Sequence, residues 1–111
     1  MMKNVLLIVV SILFIITASA QENRIKVACI GNSITYGYGL PDRTTQSYPA
    51  QLQKMLGESY QVENFGKSGA TLLNKGHRPY MQQDEYRRAI DFGGDIVVIH
   101  LGINDTDPRD W

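Results

Sequence analysis

Cysteine is nearly missing from the sequence, and this limits the covalent chemistry of the fold. Cys29 is the single cysteine among 111 residues. One cysteine cannot form a disulfide within the chain, so a disulfide-stapled scaffold is excluded. Because Cys29 lies inside an apolar run, we expect a buried structural thiol rather than a reactive one.

Long runs of like charge are missing as well. The chain carries 11 Lys and Arg against 11 Asp and Glu. Arg87 and Arg88 stand among acidic residues, which is typical of a solvated helix face. The sequence therefore lacks the basic footprint of a nucleic-acid-binding protein. It also lacks a glycine-rich loop that matches a P-loop or dinucleotide fingerprint. We expect no nucleic-acid partner and no cofactor.

The longest apolar run is confined to residues 1–20, which have the features of an export signal. Lys3 gives a positive start, and Ala18-Ser19-Ala20 matches the small-x-small cleavage pattern. The apolar run at 5–16 has twelve residues, about 18 Å as a helix, whereas a bilayer needs about 20 residues. We expect cleavage after Ala20, export to the periplasm or outside the cell, and no membrane attachment afterwards.

From residue 21 onward, short apolar runs alternate with helical stretches. Residues 25–30, 60–65 and 95–101 are predicted strands. Helices are predicted from Ser47 and over residues 82–92. This β-α-β-α-β order favours an α/β fold in which helices cover both faces of a parallel sheet. The nearly continuous apolar character of the third strand predicts burial on both of its faces.

Both predicted helices have an apolar face at helical spacing. A nine-residue segment after Ser47 and a segment before Gly93 carry these faces. The side chains predicted to point inward are Tyr48, Leu52, Met55 and Leu56 in the first helix, and Tyr86, Ala89 and Ile90 in the second.

Each predicted strand ends in a polar turn that contains glycine. In a parallel sheet these turns lie along one edge, and this edge is where open α/β sheets bind ligands. The turns are Gly31-Asn32-Ser33, Gly66-Lys67-Ser68-Gly69 and Gly102-Ile103-Asn104-Asp105.

Groups in these turns have the chemistry of nucleophilic catalysis. The Ser33 hydroxyl is a nucleophile once a base removes its proton. Gly66 has no Cβ, so its N–H can approach a ligand closely, and Asn104 can offer its side-chain NH₂. Together these groups predict a nucleophile and an oxyanion hole.

The three turns and their flanks resemble the first three conserved blocks of the SGNH, or GDSL-type, hydrolases. The resemblance runs from about residue 26 to the end of the chain. It implies a three-layer α/β/α flavodoxin-like sandwich and ester hydrolysis by acyl transfer, with no metal. It further implies that Ser33 is the nucleophile and donates its own N–H to the oxyanion, with Gly66 and Asn104 as the other donors.

Two departures from the family pattern affect the prediction. Asn32 occupies the position of the usual Asp; an Asn can keep the local turn hydrogen bond, so we expect it to be tolerated. Asp105 is expected to brace its loop. The family's Asp-x-x-His block, which supplies acid and base, does not occur before Trp111. We therefore expect residues 21–111 to be the N-terminal part of a hydrolase domain and to be inactive when expressed alone. In this segment one face of the third strand and the edge beside it would be uncovered, so we also expect it to be poorly soluble.

Neither histidine is a good candidate for the missing base. His77 lies in a loop between Gly76 and Pro79, and His100 lies inside the third predicted strand. Asp107 and Asp110 follow the third turn too closely to be the missing Asp-x-x-His pair.

The resemblance also implies a substrate class. Asn32 and the Tyr36-Gly37-Tyr38-Gly39 loop are similar to those of secreted glycan esterases, including sialate O-acetylesterase-like members, so O-acetylated carbohydrate is the expected substrate. Tyr36, Tyr38 and His77 are candidates for lining an acyl or sugar pocket. Two alternatives remain: a lipase or lysophospholipase of the same fold, and a non-catalytic flavodoxin-like module that binds a nucleotide, flavin or glycan.

Overall fold

A computed structural model describes residues 23–111 of the chain. The predicted export signal at residues 1–20 lies outside this range. Within it, no helix is long and apolar enough to cross a membrane. The elements are β1 (Ile25–Gly31), α1 (Ser33–Tyr36), α2 (Arg43–Gln46), α3 (Tyr48–Leu56), β2 (Tyr60–Gly66), α4 (Asp84–Phe92) and β3 (Ile96–His100), with 3₁₀ turns at Tyr80–Gln82, Ile103–Thr106 and Pro108–Asp110.

The three strands form one parallel sheet in the order β2-β1-β3. β1 is central, and its residues Val27, Ala28 and Cys29 are at most 2% exposed. Their apolar, partly β-branched side chains explain why this segment forms the buried middle strand. The predicted parallel α/β architecture is therefore confirmed.

Helices pack on both faces of the sheet. On one face, the Cys29 thiol lies next to Tyr48 of α3. On the other face, Phe65 of β2 packs against Phe92 of α4, with ring centroids 5.4 Å apart. Because neighbouring strand residues point to opposite faces, β1 contacts α3 and α4 from its two sides. This layering agrees with the α/β/α sandwich that the resemblance implies.

Two helix-face predictions are wrong in detail. Met55 is 76% exposed, because the buried side of α3 is turned toward Pro49 and Gln53 instead. The Gln53 amide bonds backbone groups at the start of β2, accepting from Val62 N at 2.8 Å. Ile90 of α4 is 59% exposed, because it faces the open side of the sheet.

The burial of β3 on both faces that its apolar pattern predicts is not found within residues 23–111, whereas the uncovered face expected for this segment alone is found. Val97 is 52% exposed and Ile99 is 62% exposed. β3 pairs with β1 along one edge, and within residues 23–111 no helix lies over it. An apolar groove lined by Ala28, Ile90 and Val97 runs along this uncovered side.

Candidate active site

The register of the sheet brings the three predicted turns to one edge. Gly31 of β1 pairs with Gly66 of β2 and with His100 of β3. Two further backbone hydrogen bonds join the turns: Lys67 N donates to Gly31 O at 2.9 Å, and Asn32 N donates to His100 O at 3.2 Å. The predicted meeting of the strand ends is confirmed.

Ser33 is the first residue of α1 and follows the central strand directly. Asn32 is the N-cap of this helix, and its Oδ1 accepts from Ile34 N at 3.0 Å. Asn32 thus makes the local turn bond that was predicted for it. Ser33 itself is half-buried, and its hydroxyl makes no hydrogen bond to another residue of the described range, His77 and His100 included.

The buried side of Asn32 has an unusual feature. Asn32 is 0% exposed, and its Nδ2 group has no hydrogen-bond partner within residues 23–111. A buried donor without an acceptor costs about 1–3 kcal/mol. The residue with this unpaired donor lies directly before Ser33, at the end of the central strand.

Gly66 lies at the predicted edge, but its N–H is already used. It donates to Asn64 Oδ1 at 2.9 Å, while Asn64 Nδ2 donates to Thr35 O at 2.8 Å. A Cβ on Gly66 would lie 2.2 Å from Tyr36 N. Glycine is therefore required here because α1 packs directly against the end of β2. In this conformation the Gly66 N–H is not available to an oxyanion.

Gly69, in the same turn, is a donor that the sequence reasoning missed. Its φ of 79° is in the left-handed region that glycine readily adopts. It is half-buried, and its N–H bonds no residue of the described chain. The turn Gly66-Lys67-Ser68-Gly69 contains two glycines, and the second of them was an equally good candidate from the sequence.

Asn104 and Asp105 tie the third turn to the second. Asn104 Nδ2 donates to Ala70 O at 2.9 Å, which places its amide against the residue that follows Gly69. The Asp105 carboxylate accepts from Leu72 N at 2.9 Å and from Leu73 N at 2.7 Å. Asp105 is 8% exposed. The bracing role predicted for Asp105 matches these contacts.

The aromatic and histidine candidates lie in different surroundings. Tyr36 packs under the Arg43 guanidinium at 3.9 Å, and Tyr38 is 76% exposed. His77 bonds the Asp110 carboxylate, with Nδ1 to Oδ2 at 3.0 Å. His100 lies in β3 and is exposed. A histidine–carboxylate pair across 33 residues was not predicted.

Burial fixes the protonation state of two groups beneath the site. It raises the pKa of the Cys29 thiol and that of the Tyr48 phenol. Both groups therefore stay neutral at ordinary pH, which agrees with a structural role for Cys29. In the described part of the chain, no three His, Cys, Asp or Glu side chains cluster as metal ligands.

The chain belongs to the GDSL-like Lipase/Acylhydrolase family, which it matches over residues 29–111. Among individual proteins, it is 53% identical over 91 residues to an acetylxylan esterase of Xylanibacter ruminicola. That alignment covers 82% of this chain and 19% of the esterase. The chain thus spans about a fifth of the length of the curated relative that it matches. No solved structure matches it significantly.

Proposed function

We propose that this protein is a serine esterase that removes acetyl or other short acyl groups from carbohydrates. Ser33 is the nucleophile. The oxyanion is bound by the Ser33 N–H, the Asn104 amide and a glycine N–H of the second turn. Asn32 caps α1, and Asp105 braces the loop after Asn104. Membership of the acylhydrolase family supports the reaction class.

The observation that carries this proposal is the bond from Asn104 Nδ2 to Ala70 O. It fixes an amide donor from the third turn next to the second turn, at the edge where Ser33 follows β1. An amide nitrogen has two protons, so one remains for a ligand. Donors held rigidly in this way stabilise a developing oxyanion.

Gly69 is a better glycine donor than Gly66. Gly66 N–H is bonded to Asn64, whereas Gly69 N–H has no partner in residues 23–111. Gly66 has a packing role, because only a residue without a side chain lets α1 lie this close to the end of β2. In this proposal Gly69 takes the oxyanion-donor role that the sequence suggested for Gly66.

An O-acetylated glycan is the proposed substrate. The similarity to an acetylxylan esterase supports an acetylated polysaccharide over a lipid. A lipase or lysophospholipase of the same fold remains the alternative within the class. A non-catalytic binding module remains the alternative outside it, since no base contacts Ser33 within the described residues. Export through residues 1–20 remains part of the proposal.

Serine-directed chemistry tests the proposal. In the full-length protein, a fluorophosphonate probe should label Ser33, and Ser33→Ala should abolish hydrolysis of p-nitrophenyl acetate. Ser59→Ala is the matched control, because Ser59 is exposed and precedes β2, at the opposite end of that strand from Gly66. Undiminished turnover by Ser33→Ala would reject the nucleophile, and binding of glycan without turnover by the wild type would favour the binding module.

A further inference from the structure

His77 is held by a buried carboxylate through two separate hydrogen bonds. The backbone N–H of His77 donates to Asp110 Oδ1 at 2.8 Å, and ring Nδ1 lies 3.0 Å from Asp110 Oδ2. The Asp110 side chain is 2% exposed, and the imidazole is 24% exposed. The ring therefore has a fixed position at the surface.

The carboxylate also fixes which ring nitrogen carries the proton. An ionised carboxylate only accepts hydrogen bonds, so Nδ1 must donate to it. In the neutral ring, Nε2 is then an acceptor. Nε2 bonds no residue in the part of the chain that the structure describes. His77 thus offers one oriented acceptor to a ligand.

His77 and Asn104 line the same cavity, of about 380 Å³. Sites for small molecules occupy about 300–1,000 Å³. The cavity therefore joins the proposed oxyanion donor Asn104 to the acceptor on His77, and it is large enough for a sugar unit.

The charges in the cavity wall neutralise each other. Arg109 Nη2 donates to Asp107 Oδ2 at 2.6 Å, and Arg109 Nε donates to Asp107 Oδ1 at 3.0 Å. With its guanidinium bonded to this carboxylate, Arg109 provides no unpaired cation for a carboxylate or phosphate ligand. The wall suits an uncharged, hydroxyl-rich ligand better than a sialic acid or a phospholipid.

We propose that His77 is a substrate-binding residue whose Nε2 accepts a hydrogen bond from a free hydroxyl of a neutral sugar. The hydroxyl belongs to the sugar unit whose ester carbonyl lies at Asn104. Asp110 holds the ring in the required orientation. This inference rests on the proposed esterase function and names the alcohol part of its substrate.

The His77 backbone bond to Asp110 allows the ring to be changed while the loop stays anchored. In His77→Asn, the side-chain amide replaces Nδ1 as the donor to Asp110 but offers nothing at the position of Nε2. In His77→Gln, an amide group reaches the position of Nε2. Comparing the two variants therefore distinguishes the loss of the group at the Nε2 position from the loss of the contact with Asp110.

The test measures kcat and KM of the full-length protein on three acetates. These are a mono-O-acetylated methyl pentoside with free hydroxyls, the fully O-acetylated pentoside, and p-nitrophenyl acetate. For His77→Asn we expect KM on the mono-acetylated sugar to rise between about two- and tenfold with little change in kcat, as is typical when one hydrogen bond is lost. The other two acetates should be unaffected, and His77→Gln should recover most of the loss.

Two results would overturn the inference while leaving the esterase proposal intact. One is an unchanged KM for the mono-acetylated sugar in His77→Asn. The other is an equal loss on p-nitrophenyl acetate, which would assign His77 to the chemistry or to folding. A wild-type protein that hydrolyses none of the three acetates would reject the proposed function itself, and the inference with it.

Discussion

The Asn104 side chain donates a 2.9 Å hydrogen bond to the Ala70 carbonyl, and this bond links the turns that follow β3 and β2. It fixes the orientation of the amide before any substrate arrives. Pre-oriented donors are the more effective ones, because no reorganisation is needed when the oxyanion forms. The consequence for turnover can be measured directly.

Asn104→Ala is expected to lower kcat on p-nitrophenyl acetate by about 10² to 10³, as is typical when one oxyanion donor is lost. KM should change little, because the donor acts mainly on the transition state. Asn74→Ala is the matched control, since Asn74 is exposed in the neighbouring loop. A variant whose kcat stays within a few-fold of wild type would remove Asn104 from the site.

Gly66→Ala is expected to impair folding rather than catalysis. The new Cβ would lie 2.2 Å from Tyr36 N, a backbone atom that cannot move without displacing α1. Soluble yield and the melting temperature should fall sharply. Gly39→Ala provides the comparison: its φ of 81° is also unfavourable for alanine, but no atom lies within 4 Å of the new Cβ.

The strain at Gly39 alone costs about 1–2 kcal/mol, so Gly66→Ala should be clearly more damaging. If Gly66→Ala folds and melts like Gly39→Ala, then the close approach of α1 to β2 is not as described. If it folds normally but loses turnover, the oxyanion role first assigned to Gly66 is restored.

Tyr80→Phe is expected to destabilise the fold by about 0.5–1.5 kcal/mol, because it removes one hydrogen bond to the Phe65 carbonyl. The Tyr80 hydroxyl donates to Phe65 O at 2.7 Å, and Tyr80 is 2% exposed. Burial also raises the pKa of Tyr80, so the group remains protonated and able to donate. Chemical denaturation of the full-length protein measures the change.

Tyr38→Phe serves as the control for Tyr80→Phe. Tyr38 is 76% exposed, and surface substitutions of this kind alter stability by less than about 0.5 kcal/mol. Equal denaturation midpoints for the two variants would mean that the Tyr80 hydroxyl bond contributes nothing measurable.

The sheet and the position of Ser33 were predictable because they depend on local pattern. Short apolar runs that end in glycine define parallel strands, and the rule that such strands end at one edge places their turns together. Asn32, Ser33 and Asn104 lie where that rule puts them. No information from distant parts of the chain was needed for this step.

Other features depend on which element packs across from a residue. The periodicity places Met55 and Ile90 on helix faces, but it does not tell how each helix is rotated on the sheet. The choice between Gly66 and Gly69 depends on how the turn folds back over α1. The His77–Asp110 pair joins two loops 33 residues apart, and nothing in either local sequence indicates the contact.

The charge pair in the cavity wall gives a prediction about acid. Hydrogen bonds from the Arg109 side chain, followed by the one from Arg109 N, hold the pKa of Asp107 well below its ordinary value. Because the folded-state pKa is lowered, the stabilisation of the Pro108–Asp110 turn is complete above the unfolded pKa of about 3.9. This stabilisation is lost as the pH falls through the pKa that Asp107 has in the folded protein, which is lower than the unfolded pKa.

Between pH 5 and 8 (roughly one unit or more above that unfolded value), Asp107 should therefore stay ionised and paired with Arg109. Carboxyl-carbon chemical shifts recorded against pH would measure the midpoint for Asp107, and Arg109→Gln should move that midpoint up toward its ordinary value. A wild-type midpoint near the ordinary value would show that Arg109 does not hold the Asp107 carboxylate in solution. The charge of Arg109 would then be open to an anionic ligand, and a neutral sugar would no longer be favoured at this cavity.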